Sequence, residues 1–151
     1  MDWEGLFKRY VWSDVKTPYL VPVGRLARVQ AGYELFFYAL FVGVLFAMVA
    51  VMALSGRLPH GGEHAVSLYA FTVVCAAVLL GATRHPWAAL WCSSAPIGAL
   101  EYFAVYGFHP NLDVPDKVLL IALMLLWLVY ARRVVAVARA YPQLSGPQGP
   151  D

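Results

Sequence analysis

The sequence predicts an all-α integral membrane protein, a bundle of four transmembrane helices preceded by an amphipathic helix at the membrane interface. Three observations predict this fold class: 61% of the 151 residues are hydrophobic, only 13% are charged, and the mean hydropathy is +0.63. A soluble domain carries about 25% charged residues and about 45–50% apolar ones, because it has to cover its core with polar surface. The composition therefore excludes an ordinary soluble enzyme, a disordered protein and a nucleic-acid-binding protein.

Residues 1–30 are predicted to be a cytoplasmic segment that begins with the interfacial helix. Its apolar residues recur with the spacing of one helical face: Trp3, Leu6, Phe7, Tyr10 and Val11. Lys8 and Arg9 fall off that face, and a helix with an aromatic side and a basic side is typical of a membrane surface. Docking onto a partner subunit is the alternative, because periodicity alone does not identify the apolar surface that the helix contacts.

Four spans are expected at about 33–55, 65–83, 86–108 and 115–138, within a domain of residues 31–141 that precedes a flexible tail at 142–151. A spanning helix needs about 20 mostly apolar residues. The fourth apolar run is shorter, so the helix is expected to continue through Arg132 and Arg133, whose long side chains can reach the lipid headgroups. Pro96 removes the N–H that would bond the Cys92 carbonyl, which predicts a kink in the third span.

The distribution of basic residues predicts the orientation. In the four-span arrangement nine of the eleven Lys and Arg residues fall on one side of the membrane: Lys8, Arg9, Lys16, Arg25, Arg28, Arg84, Arg132, Arg133 and Arg139. Basic residues are concentrated in cytoplasmic loops. Both termini are therefore expected to be cytoplasmic, in a multi-pass protein of the plasma (inner) membrane.

Small residues predict where the helices approach one another closely. Ala39, Gly43 and Ala47 follow one another at four-residue spacing in the first span, and Ala77 and Gly81 do so in the second. Such residues let transmembrane helices pack backbone to backbone. They are expected either to form the interior of the bundle or to form a contact with another protein.

The third span carries the candidate ligand or proton site. Glu101 is the one carboxylate well inside a span, and Ser94 and Gly98 share its helical face, with Ser93 next to them. An ionisable group at this depth is costly and is expected to face the bundle, a cavity or a partner. It would serve as a proton or cation relay, or as an acid or base. The alternative is a hydrogen-bonded carboxyl that only fixes the packing.

Two other polar residues of the spans need partners. Glu34, at the start of the first span, is expected to pair with Arg28, Arg84 or a lipid headgroup. Trp127 lies deep in the fourth span, where its indole N–H needs an acceptor.

Metal and cofactor sites are not expected. The nearest approach to a metal-ligand set is His60, Glu63, His64 and His109, but these residues sit in separate loops that would have to converge. No histidine lies inside a predicted span, which argues against haem bound by two histidines.

The predicted function is that of a non-catalytic accessory or assembly subunit of a larger membrane complex. The expected partners are the lipid bilayer and other membrane subunits or further copies of this chain, and no nucleic acid. Two alternatives remain: a small oligomeric transporter or channel that uses Glu101 and Ser94, or an intramembrane enzyme that acts on a lipid or isoprenoid with Glu101 as acid or base.

Overall fold

The computed structural model describes residues 21–58 and 64–144, and all regular secondary structure within these ranges is helical. The five α-helices of the described ranges are α1 (Arg28–Leu54), α2 (His64–Thr83), α3 (Pro86–Cys92), α4 (Ala95–Tyr106) and α5 (Val114–Ala140). Short 3-10 turns precede α1 at Val23–Arg25 and follow α5 at Tyr141–Gln143. Three helices, α1, α2 and α5, are long and apolar enough to cross a membrane.

Several sequence predictions concern residues outside the described ranges. These are the interfacial helix with Trp3, Phe7, Tyr10, Lys8 and Arg9, the loop residues His60 and Glu63, and the tail beyond residue 144.

Helices α1 and α2 form the most extensive helix pair, an antiparallel hairpin. A Cβ atom placed on Gly43 would lie 3.3 Å from the Cβ atom of Ala77, and one on Gly81 would lie 3.8 Å from that of Ala39. The small residues of the two helices therefore face one another, and this close contact lies inside the chain.

The third predicted span, 86–108, is interrupted at Ser93 and Ser94, close to the kink that Pro96 predicts. Helices α3 and α4 lie on either side of these two residues, and the whole stretch 86–106 corresponds to about 31 Å at 1.5 Å per residue. Pro96 has no N–H for the Cys92 carbonyl, and the hydroxyls of Ser93 and Ser94 bond back to the carbonyls of Ala89 and Trp91 at 2.7 Å each. Ser93 and Ser94 keep right-handed helical φ and ψ, so the two helices follow one another closely across the interruption.

Tyr38 of α1 compensates for the missing backbone bond at this break. Its hydroxyl donates to the Cys92 carbonyl at 3.4 Å and accepts the indole N–H of Trp127 at 3.3 Å. One phenol thus connects α1, α3 and α5, and Trp127 has the acceptor that its depth requires.

The start of α1, the end of α2, the start of α3 and the end of α5 lie together at one end of the bundle, which we call the arginine end. Arg28 stacks there on Tyr141 and Arg84 on Phe36, with guanidinium-to-ring distances of 5.2 and 5.9 Å. Because the residues before α1 and after α5 share this end, the described chain enters and leaves the bundle on the same side. The opposite end carries the turns that follow α1 and α4.

Packing is dense in the half of the bundle near the arginine end and sparse in the other half. Helix α5 shows the difference most clearly. Ala131, Val134, Val137 and Ala138 are fully buried, whereas no residue from 114 to 130 is buried. The first half of α5 therefore exposes an apolar surface along its length.

Candidate functional site

A cavity of about 650 Å³ lies in the sparsely packed half, between α1, α2 and α4. Its walls are mostly aromatic and aliphatic, and the aromatic members are Phe46, Tyr69, Trp91, Tyr102, Phe103 and Tyr106. Ser94, Gly98 and Glu101, which the sequence places on one helical face, all line it. Ser93 is not among its lining residues.

Tyr69 projects from α2 into this cavity and reaches the break between α3 and α4. Its hydroxyl lies 2.8 Å from Oγ of Ser94, and Oγ of Ser94 lies 2.7 Å from the Trp91 carbonyl. Because a serine hydroxyl has one proton and here donates it to the carbonyl, the phenol is the donor to Ser94. The Tyr69 hydroxyl and the Ser94 proton are thus committed to holding the cavity wall.

A second chain of bonds runs back from α3 to α2. The indole N–H of Trp91 donates to Oγ1 of Thr72 at 3.2 Å, and that hydroxyl donates to the Tyr69 carbonyl at 2.7 Å. The Tyr69 ring also packs edge-on against Phe46 at a centroid distance of 6.0 Å. Tyr69 is therefore fixed from several sides, and the cavity has a defined shape.

Gly98 is the residue that makes room for Tyr69. A Cβ atom on Gly98 would lie 2.7 Å from Cε1 of Tyr69 and 2.9 Å from its hydroxyl oxygen. These distances are too short for van der Waals contact. The absence of a side chain on α4 thus allows the ring to cross its surface and bond to Ser94.

Glu101 lies one turn beyond Gly98 on the cavity wall, and its side chain is exposed. Within the described ranges no basic side chain lines the cavity, and no Lys, Arg or His there forms an ion pair with this carboxylate. The arrangement offers an apolar, ring-lined space with one acidic group. It suits an apolar side chain, a lipid tail or a lipophilic cation.

Ser93 does not line the cavity, and its hydroxyl serves to hold helices together. It is buried, and its hydroxyl contacts the carbonyls of Ala89 at 2.7 Å and Ala131 at 3.2 Å. It therefore joins the end of α3 to α5, and it does not meet Ser94, Gly98 and Glu101 in a common site.

The buried carboxylate Glu34 is paired with Arg133 of α5. Nε and Nη2 of Arg133 donate to the two oxygens of Glu34 at 2.7 and 3.0 Å, and Nη1 donates to the Val21 carbonyl at 2.9 Å. Glu34 is 2% exposed. The expected pairing of Glu34 with Arg28, Arg84 or a headgroup is thus wrong, because the 3.6-residue period directs Glu34 toward α5.

The same contact corrects the prediction for Arg133. Its side chain bonds inside the protein, whereas the next residue along the helix, Arg132, is exposed. Bidentate pairing satisfies both carboxylate oxygens, which is what makes a buried charge tolerable.

The weak metal candidates do not assemble in the part of the chain that the structure describes. His64 is the first residue of α2, and Nδ1 of His109 accepts the backbone N–H of Asn111 at 3.2 Å in the turn after α4. Among residues 21–58 and 64–144, no three His, Cys, Asp or Glu side chains lie close enough to share a metal ion.

Sequence reasoning missed Tyr69 and the aromatic wall around it. A signal was available, since Tyr69 is a hydrogen-bonding side chain in the middle of an apolar run and Gly98 offers a gap in another. To predict that Tyr69 packs on Gly98, one has to know which faces of α2 and α4 meet. The periodicity of a single helix does not contain that information.

Comparison with models of known protein families, with curated proteins and with solved structures finds no match to this chain.

Proposed function

We propose that this protein is a non-catalytic accessory or assembly subunit of a membrane complex, and that its aromatic cavity receives an apolar group from a partner membrane protein. The observation that carries the proposal is the cavity of about 650 Å³, open and largely apolar, in the half of the bundle where packing is sparse. The commitment of the Tyr69 and Ser94 hydroxyls to the wall supports binding over catalysis. The dense packing near the arginine end argues against a continuous pore through one copy.

Site-specific photo-crosslinking in native membranes tests this proposal. A photo-reactive amino acid at Ile97, a cavity-lining residue that is 53% exposed, should give a discrete protein adduct. The matched control is Val78 of α2, which is 68% exposed and does not line the cavity, and it should give lipid adducts only. Lipid adducts alone at both positions, together with a single unaccompanied chain in mild detergent, would refute the subunit role.

Four crossings are part of the proposal, with α3 and α4 together forming the third. The arrangement would leave both termini in the cytoplasm, in the plasma (inner) membrane. Its support is the charge distribution: Arg25, Arg28, Arg84, Arg132, Arg133 and Arg139 lie toward the arginine end, whereas only Arg57 and Lys117 among the described basic residues lie toward the other. Reporter fusions at residue 1, residue 151 and the 107–113 turn test it, and opposite locations for the two termini would contradict it.

Glu101 favours a second candidate, an oligomeric transporter of lipophilic cations. Aromatic faces and a carboxylate attract a cation together, and no basic residue among the described cavity walls opposes it. Tetraphenylphosphonium binding to the purified protein should weaken about tenfold in Glu101→Gln, which corresponds to about 1.4 kcal/mol. The control Asp113→Asn removes an acid outside the cavity and should bind as the wild type does. Equal binding by all three proteins would exclude this candidate.

The intramembrane-enzyme alternative also depends on Glu101, here as the acid or base that acts on a lipid or isoprenoid. Membrane lipids recovered from cells with the wild type and with Glu101→Gln should then differ in one product class. Identical lipid profiles would exclude this alternative.

A further inference from the structure

A second cleft, of about 480 Å³, opens at the arginine end between the start of α1, the end of α2 and the turn after α5. Arg28, Tyr33 and Phe36 of α1, together with Arg84 and Tyr141, form most of its lining. It is distinct from the aromatic cavity, with which it shares no lining residue.

Aromatic rings position both arginines. The Arg28 guanidinium lies over the Tyr141 ring at 5.2 Å, and that of Arg84 over Phe36 at 5.9 Å. Nη1 of Arg84 also donates to the Leu80 carbonyl at 3.1 Å. Stacking holds a guanidinium by its face and leaves N–H groups at its edge to bind an anion.

The backbone at Arg84 brings this side chain to α1. Arg84 has a φ of 59°, a left-handed conformation that is uncommon for a residue with a side chain, and it ends α2 immediately before the turn into α3. The turn places the guanidinium beside Phe36 instead of carrying it away from the bundle.

The cleft has no acidic counter-charge among the described residues. None of its lining residues is Asp or Glu, and the nearby carboxylate of α1, Glu34, is buried in its pair with Arg133. Two guanidinium groups therefore share one opening. Guanidinium groups bind phosphate through paired N–H donors, which makes a phosphate group the best-matched ligand.

An apolar strip on α1 continues from the cleft toward the middle of the helix. Phe36, Leu40 and Val44 follow one another at four-residue spacing, and they are 43%, 51% and 53% exposed. A phosphate in the cleft would thus lie at the end of a surface suited to an acyl chain.

We propose that the cleft binds the phosphate group of an anionic phospholipid, whose acyl chain lies along this strip of α1. A soluble phosphate compound shares the headgroup chemistry but has no group to cover Phe36, Leu40 and Val44. The cleft would then tie the ends of α1, α2 and α5 to one lipid molecule at the membrane surface.

Lipid binding to the purified full-length protein tests the proposal, with phosphatidylglycerol and phosphatidylcholine as probes. Wild-type protein should prefer phosphatidylglycerol, and Arg28→Gln and Arg84→Gln should each weaken its binding about tenfold, the effect expected for one charge-assisted contact. Arg84→Lys keeps the charge without the planar guanidinium and should fall between wild type and Arg84→Gln. Circular dichroism establishes that each variant is folded.

Arg139→Gln is the matched control, because it removes an exposed positive charge near the same end but outside the cleft. Its affinity for phosphatidylglycerol should stay within about twofold of wild type, since exposed charges contribute little individually. A loss as large as in the cleft variants would show diffuse surface attraction and overturn the proposal. Displacement of the lipid by inorganic phosphate at equal concentration would overturn the assignment to a lipid.

Discussion

Glu34 and Arg133 join α1 to α5 through a buried carboxylate and its guanidinium partner. The carboxylate is 2% exposed and receives two N–H bonds from one guanidinium, which also binds the Val21 carbonyl. A buried charge of this kind is neutral or mildly costly while it is paired and very costly when it is alone. Substitution of one partner should therefore destabilise the protein more than substitution of both.

Arg133→Met should lower the free energy of unfolding by about 3 kcal/mol, because it leaves the Glu34 carboxylate buried without its counter-charge. The double variant Glu34→Met with Arg133→Met should recover most of that loss. Reversible unfolding in mixed detergent micelles measures both. A double variant that is less stable than Arg133→Met would show that the ion pair itself provides the stability.

Gly98→Ala should destabilise the protein by about 1–2 kcal/mol, since the added methyl group would overlap the Tyr69 ring and overpacking costs about that much. The phenol should also lose its bond to Ser94, which ultraviolet resonance Raman of the tyrosine ring detects. Gly81→Ala is the control, because its Cβ atom would meet Ala39 at an ordinary 3.8 Å. Equal stability of the two variants would mean that Tyr69 is not held against Gly98.

At this scale the sequence predicted part of the cavity site. The spacing of Ser94, Gly98 and Glu101 placed them on one face, and all three line the cavity. The partner of that face could not be predicted, because Tyr69 is 25 residues from Ser94 and reaches it only through the packing of α2 on α3. Ser93 precedes Ser94 by one residue, and about 100° of helical rotation separates the two side chains. Ser93 therefore faces α5 and not the cavity.

At the scale of elements, the break between α3 and α4 combines a proline, two serines and a distant phenol. Pro96 leaves the Cys92 carbonyl without its helical donor, and the Tyr38 hydroxyl bonds to that carbonyl. The carbonyl can therefore be satisfied either from α1, as observed, or from a backbone N–H restored at position 96.

Tyr38→Phe should cost about 1–2 kcal/mol, because the Cys92 carbonyl loses a donor and the Trp127 indole loses an acceptor. The cost should be smaller in a Pro96→Ala background, where the new N–H can bond to the carbonyl. A double-mutant cycle of unfolding free energies measures the coupling. Additive effects would mean that the phenol and the proline act independently.

The helices of the bundle were largely predictable from hydropathy. The expected spans 33–55, 65–83 and 115–138 correspond to Arg28–Leu54, His64–Thr83 and Val114–Ala140. Helix α1 begins five residues earlier than the predicted span. Its first turn contains the polar residues Arg28 and Gln30, and a prediction based on apolar runs leaves such residues out. The third span is interrupted next to Pro96, where the sequence predicted a kink, but the contribution of the two serines to this interruption was not predicted.

At the scale of the whole molecule, the bundle is a closed half joined to an open half. The buried residues of α5 all lie in its second half, near the Glu34–Arg133 pair, and the aromatic cavity lies in the other half of the bundle. The most densely packed residues and the aromatic cavity thus lie toward different ends of the same helices.

The same substitution in the two halves of α5 should reveal this division. Val134→Ala, at a fully buried position, should lower the free energy of unfolding by about 1–2 kcal/mol through lost packing. Val129→Ala, at a position that is 67% exposed, should change it by less than about 0.5 kcal/mol. Comparable losses in the isolated protein would indicate that the first half of α5 packs as tightly as the second.

The ion pair between the first and last long helices also constrains biogenesis. Glu34 and Arg133 are 99 residues apart, so the ribosome must make nearly all of the remaining helices before the guanidinium exists. Until then the Glu34 carboxylate lacks its partner, and an unpaired acid is costly to bury in apolar surroundings. The pair can therefore form only after the helices between α1 and α5 have been made, and a chain that stops before α5 would leave Glu34 without its partner.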